Sequence, residues 1–143
     1  MAKIMTVNTG VQEYEINNAT VRFNSTDYVF AERLVNVFDK MDALQNKYKG
    51  QLQAANSGNI WKACREIDKE MRAVINDLFV DDVADGIFGK TSCFALADGL
   101  PIWCNVIFAI MDEVDAEIVM QKQRTDPRLN AYLAKYKAKH GEN

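Results

Sequence analysis

Residues 25–78 read STDYVFAERLVNVFDKMDALQNKYKGQLQAANSGNIWKACREIDKEMRAVINDL, and this stretch decides the fold. Phe30, Leu34, Val37, Met41, Leu44 and Tyr48 are spaced 4, 3, 4, 3, 4, and Ile60, Cys64, Ile67, Met71, Val74 and Leu78 repeat that spacing. Apolar residues recurring in this way line one face of an α-helix. Glu32, Arg33, Asp39, Lys40 and Lys47 fall off the first seam. Ser25-Thr26-Asp27 offers hydroxyl and carboxylate oxygens to the free N–H groups of a first helical turn. Gly50 weakens the end of the first helix, and Asn56-Ser57-Gly58-Asn59 forms a polar loop. Two long helices joined by a short loop pack as an antiparallel pair.

Upstream, the period changes from helical to two. In VQEYEINNATVRFN (residues 11–24), Val11, Glu13 and Glu15 alternate with Gln12, Tyr14 and Ile16, and Val21 and Phe23 alternate with Arg22 and Asn24. Asn17-Asn18 tolerates the positive φ of a tight turn, so a β-hairpin is expected. Downstream, residues 80–99 mix short apolar groups with turn residues and read as a short helix plus loop. Pro101 suits a helix start. Val106, Ile107, Ile110, Met111, Val114 and Ile118 then keep helical spacing to about Gln123, where Asp126-Pro127 is expected to break the helix. Beyond it, Leu129, Tyr132, Leu133 and Tyr136 suit a short amphipathic stretch before the chain frays. The fold class is mainly α (α+β): an N-terminal β-hairpin, an antiparallel helical hairpin, a short helix/loop region and a third long helix. One domain over 1–143 is expected, with a hairpin arm at 1–24, a helical body at 25–125 and a partly disordered basic tail at 126–143.

The chain has 143 residues, 48% of them apolar and 26% charged, with a net charge of −3. Such a balance excludes a disordered chain, and 7 Gly with 2 Pro excludes a collagen-like one. An isoelectric point near 5.2 argues against nucleic-acid binding. The three cysteines, Cys64, Cys93 and Cys104, are odd in number, lack C-x-x-C spacing and have a single histidine for company. They are expected to be reduced thiols in a cytoplasmic protein, not a disulfide framework or zinc site. No signal-peptide core opens the sequence, and the apolar run Leu100–Met111 is too short to cross a bilayer, so no membrane association is expected. The two N-x-[ST] sequons, at Asn18 and Asn24, matter only in a secreted chain.

Gly89-Lys90-Thr91 matches the end of a phosphate-binding loop, but Ala84 stands where G-x-x-x-x-G-K-[ST] needs glycine. Asp81, Asp82 and Asp85 would repel phosphate, and no alternating strands and helices provide a parallel sheet. The same three carboxylates lack EF-hand spacing. His140 sits three residues from the end, and neither a nucleophile elbow nor a Cys–His pair is present. The sequence therefore assigns no catalytic, cofactor-binding or metal-binding residue, and the expected function is non-enzymatic. Large apolar groups crowd the less regular region. Most belong in a core, while Phe79, Phe88, Phe94 and Trp103 are the candidates for a partner-binding groove.

Charge is polarised. Residues 77–120 carry nine acids and one base, net −8; residues 121–143 carry six bases and two acids, net +4. An acidic solvated face with a solubilising tail is one reading. The sharper one is head-to-tail self-association, with one subunit's tail on another's acidic surface, weakened by salt.

Several short motifs carry a family resemblance. F-A-x-R-L at Phe30–Leu34 opens a long helix, I-x-x-L-F at Ile75–Phe79 closes a second one, and D-x-x-x-G-x-I-F-G runs loosely over Asp82–Gly89. With the hairpin before them and a basic, Tyr-containing tail after, this arrangement resembles the small tail assembly chaperones of long-tailed phages and prophages of Gram-positive bacteria. Those proteins often carry a Gly-Glu-Gly-type turn after the second helix, where this chain has Phe79-Val80-Asp81-Asp82. The resemblance implies a cytoplasmic, non-enzymatic protein that binds the tape-measure protein and helps recruit tail-tube protein. Met41, Met71, Met111 and Met120 suit adaptable apolar contacts in such a role. Two rivals are a structural phage component, such as a connector or tail-completion protein, and a secreted helical-hairpin effector. The diagnostic Trp-x-Gly of the second is missing from Ser57-Gly58-Asn59-Ile60-Trp61.

Overall fold

The computed structural model describes residues 1–54 and 58–140. It contains the expected hairpin, with β1 (Gln12–Ile16) antiparallel to β2 (Ala19–Phe23) and Ile16 opposite Ala19. Asn17-Asn18 is the turn, and Asn17 adopts φ 55°. Ala19, Val21 and Phe23 point inward and are buried, while Thr20 and Arg22 are exposed. The period-two pattern thus separates a core face from a wet one.

Helix α1 (Tyr28–Gln53) starts where Asp27 Oδ1 accepts the Val29 N–H at 3.0 Å. The first seam faces the core: Phe30, Leu34, Val37 and Met41 are buried, and Leu44 and Tyr48 pack at its margin. Helix α2 (Ile60–Phe79) buries Ile67, Met71 and Leu78 of the second seam, together with Ile75 and Phe79. Phe23 stacks on Phe30 at 4.3 Å and lies 6.0 Å from Phe79. The start of α1 therefore meets the end of α2, which is the antiparallel arrangement. Asn56 and Ser57 of the interhelical loop, and the side chains of Tyr136 and His140, lie outside the described residues.

The region after α2 holds a short helix, as expected, and a second hairpin that the sequence reading missed. Helix α3 (Ala84–Phe88) is followed by β3 (Leu96–Ala97) and β4 (Leu100–Pro101), closed by Asp98-Gly99 with φ values of 54° and 79°. Two central residues at positive φ are what Asp-Gly provides in a tight β-turn, so the signal was present. Two-residue strands gave no alternation to flag it.

Helix α4 (Ile102–His140) corrects the expected break. Its backbone stays helical through Asp126-Pro127. Proline removes the donor for the Gln123 carbonyl, a loss of about 3 kcal/mol in a helix interior. Gln123 is exposed, which lets water take the donor's place, and Leu129, Ala131, Leu133 and Lys135 all favour helix. Among the described residues, no helix is long and apolar enough to cross a membrane.

Candidate interaction surface

The four side chains expected to bind a partner are core residues. Phe79, Phe88, Phe94 and Trp103 are 8, 6, 4 and 3% exposed. Phe94 stacks on Tyr48 at 4.3 Å, and Trp103 packs against Phe38 while its Nε1 donates to Gln45 Oε1 at 2.6 Å. Phe88 lies under the Arg72 guanidinium, 5.6 Å from the ring centre. They join α1 and α2 to the later elements, so this set forms no open groove. Met41 and Met71 are likewise fully buried, which leaves Met120 as the exposed member of the methionine set.

The turn that leads into Gly89-Lys90-Thr91 is also tied into the fold. Gly86 lies within α3 against the hairpin turn: a Cβ there would sit 3.0 Å from the Asn18 carbonyl and from Ala19 Cβ. The Gly86 carbonyl accepts the Asn18 N–H at 3.1 Å, and Asn17 Nδ2 donates to the Ile87 carbonyl at 2.7 Å. Close backbone approach is what this glycine supplies. Arg72 holds the next turn, donating to Asp68 Oδ2 at 3.0 Å, Asp85 Oδ1 at 2.8 Å and the Thr91 carbonyl at 2.8 Å. Asp68 in turn accepts the Cys93 N–H at 2.7 Å. Asp85 is thereby committed to Arg72, and Asp82 accepts from Asn76 Nδ2 at 3.2 Å. No group of three or more metal-ligating side chains converges among the described residues. Burial pushes the Cys93 thiol far above its usual 9.0, and the neighbouring Asp68 carboxylate acts in the same direction. A protonated thiol is a poor nucleophile.

The open surface lies elsewhere, between the N-terminal arm and α4. Residues 1–11 have no regular structure and are exposed, with Ile4, Met5 and Val7 uncovered. Asn24 anchors their end: its Nδ2 donates to the Thr9 carbonyl at 2.8 Å, and its Oδ1 accepts the Thr26 N–H at 2.9 Å. Gly10 fits beside it at φ 75°, where a Cβ would come within 2.5 Å of Asn24 Nδ2. A cleft of about 1260 Å³ opens between this arm and the middle of α4. Val7, Leu129 and Tyr132 supply apolar wall, Asn8, Asn24 and Gln121 supply amides, and Arg128 and Glu117 bring charge. Glu117 is buried and accepts from Gln121 Nε2 at 2.7 Å and Gln12 Nε2 at 3.4 Å, tying α4 to β1. A mixed apolar and amide lining suits a peptide or helix, since apolar contact gives affinity and amides fix register.

Sequence reasoning missed this cleft because its walls are about a hundred residues apart in the chain. No protein-family model matches the chain, and neither does any curated protein or solved structure.

Proposed function

We propose that the protein is a non-enzymatic tail assembly chaperone of a long-tailed phage or prophage. In this reading it acts in the host cytoplasm, holding the tape-measure protein soluble and helping recruit tail-tube protein. The observation that carries the reading is the open cleft between the arm and α4, where Val7, Leu129 and Tyr132 offer apolar contact among polar side chains. The motifs at Phe30–Leu34, Ile75–Phe79 and Asp82–Gly89 supply the family. An acidic body beside the cleft opposes nonspecific aggregation of the loaded complex. Co-expression with a very long helical protein encoded directly downstream tests it. The expected result is a soluble complex that co-purifies, weakened by Leu129→Glu with Tyr132→Glu in the cleft wall. A tape-measure protein equally soluble with and without this chain would overturn the reading.

The exposed arm favours a second reading, a structural component such as a connector or tail-completion protein. Uncovered Ile4, Met5 and Val7 on an extended segment suit contact with a neighbouring subunit in an assembled particle. Purified particles separate the two: a structural component is retained in them and a chaperone is not.

A further inference from the structure

We propose that this chain self-associates through two unlike surfaces, a basic, Trp-bearing stripe on α2 of one copy and an acidic, apolar-edged face on α4 of another. The stripe is Trp61, Lys62, Arg65 and Lys69, all exposed, with the indole-bearing residue 68% uncovered. At about 100° per residue the four share roughly 100° of the helix surface, centred roughly 135° from the buried Ile67, Met71, Ile75 and Leu78. Like charges three and four positions apart repel along a helix. Among the described residues none of the three bases forms an ion pair. Asp68 is held by Arg72 and the Cys93 N–H, and Glu70 turns to Lys47 on α1, which leaves Glu66 at the margin of the stripe. On α4, Phe108, Asp112, Asp115 and Val119 are exposed at steps of 4, 3 and 4, within roughly 60° of the helix surface. The buried Trp103, Val106, Ile107 and Ile110 occupy the other side.

The two surfaces match in shape and in charge. On α4, Phe108 with Asp112 and Asp115 with Val119 form two adjacent rows at i, i+4, and on α2 Trp61, Arg65 and Lys69 form one. A row of one helix seats in the groove between two rows of another. Arg65, in the middle of its row, then falls between Asp112 and Asp115, and Trp61 meets an apolar group, Phe108 or Val119, at the end. The spans agree, about 12 Å from Trp61 to Lys69 and about 16 Å from Phe108 to Val119 at 1.5 Å per residue. Indole and guanidinium groups are common anchors of interfaces, and opposite charge fixes the register. The basic partner of the acidic half of α4 is thus α2 of another copy, not its C-terminal tail. A single-stranded nucleic acid also stacks on an aromatic flanked by bases, but the net charge of −3 opposes its approach. Because the surfaces are unlike, the contact can repeat from copy to copy. None of this depends on the tail-assembly reading.

Sedimentation velocity of the full chain over a range of concentration and salt is the first test. The expected species are larger than a monomer, with a dissociation constant that rises about tenfold or more at high salt, since screening weakens opposite-charge contacts. Acrylamide quenching of tryptophan emission reads the contact itself: Trp103 is buried, so Trp61 supplies the quenchable signal, and quenching should fall as the assembly forms. Two charge-reversed chains supply the third test, Lys62→Glu with Arg65→Glu and Lys69→Glu, and Asp112→Lys with Asp115→Lys. All five positions are exposed, so each chain is expected to keep its circular dichroism and melting temperature. Each alone should be monomeric, because both of its surfaces then carry one sign, and an equimolar mixture should assemble with the two alternating. The proposal is overturned by a wild-type monomer at every concentration and salt, or by a wild-type assembly in which Trp61 stays fully quenchable. A stripe-reversed chain that still assembles alone overturns it in favour of the basic tail, and so does a mixture that stays monomeric. A wild-type monomer whose Trp61 is instead shielded by a single-stranded oligouridine overturns it in favour of nucleic acid.

Discussion

Arg72 joins three parts of the chain, and its surroundings give its removal a predictable cost. Its side chain is 15% exposed and donates to Asp68 on its own helix, Asp85 on α3 and the Thr91 carbonyl, while Phe88 lies beneath the guanidinium. Replacing it leaves the half-buried Asp68 carboxylate without its ion pair. Arg72→Met should therefore lower unfolding free energy by about 3 kcal/mol in a denaturant titration. Arg22, paired with Glu13 on an exposed surface, should cost less than about 1 kcal/mol when changed the same way. Equal losses for the two would refute this view of Arg72. Val80 is strained in the opposite sense. It closes α2 at φ 53° and ψ 42°, a left-handed conformation unfavourable for a β-branched side chain, and it is 71% exposed. Val80→Gly should raise stability by about 0.5–1 kcal/mol, net of the extra entropy glycine brings to the unfolded chain. A fall in melting temperature would contradict it.

Among the elements, the N-terminal arm is held by few groups and is correspondingly easy to release. Asn24 anchors it through the Thr9 carbonyl, and Gly10 alone allows the backbone to pass so near. Gly10→Ala would bring a Cβ against Asn24 at a φ that L side chains avoid. The expected outcome is faster proteolysis within residues 1–11 and an unchanged global melting temperature, because those residues bury no core. A drop of several degrees would show the arm to be part of the cooperative unit. Helix α4 illustrates the opposite case, an element that outlasts its local breaker. Proline at position 127 marks a helix end by local rules, but solvent exposure and strong flanking helix formers let the backbone continue. The β3–β4 hairpin was equally hidden: Asp98-Gly99 signals a turn, and strands of two residues carry no period to confirm it.

For the whole molecule, alkaline pH is a sensitive probe of packing. Burial raises the titration points of Tyr14, Tyr48, Cys93 and Cys104 above 10.0 for the phenols and 9.0 for the thiols. The folded chain then holds protons that the unfolded chain releases. Stability from these groups is complete below about pH 9 and declines as pH rises through their folded values, since the unfolded state binds fewer protons there. A denaturation series from pH 7 to 10.5 should be flat to about pH 9 and then fall, and Cys93→Ala should flatten that fall. Stability rising above pH 9 would contradict the burial of these groups. The sequence by itself determined the first hairpin, the two seams and their antiparallel pairing, because each follows from a short-range period that a local window contains. It also set the charge polarity of α4, which is a property of composition. Tertiary structure decided which apolar residues face water. Phe79, Phe88, Phe94 and Trp103 were candidates for a surface until packing from distant elements covered them. It likewise decided the cleft, whose walls join residues 7–10 to Glu117, Gln121, Arg128, Leu129 and Tyr132 of α4. Burial depends on what other parts of the chain arrive at a site, and no local spacing records that.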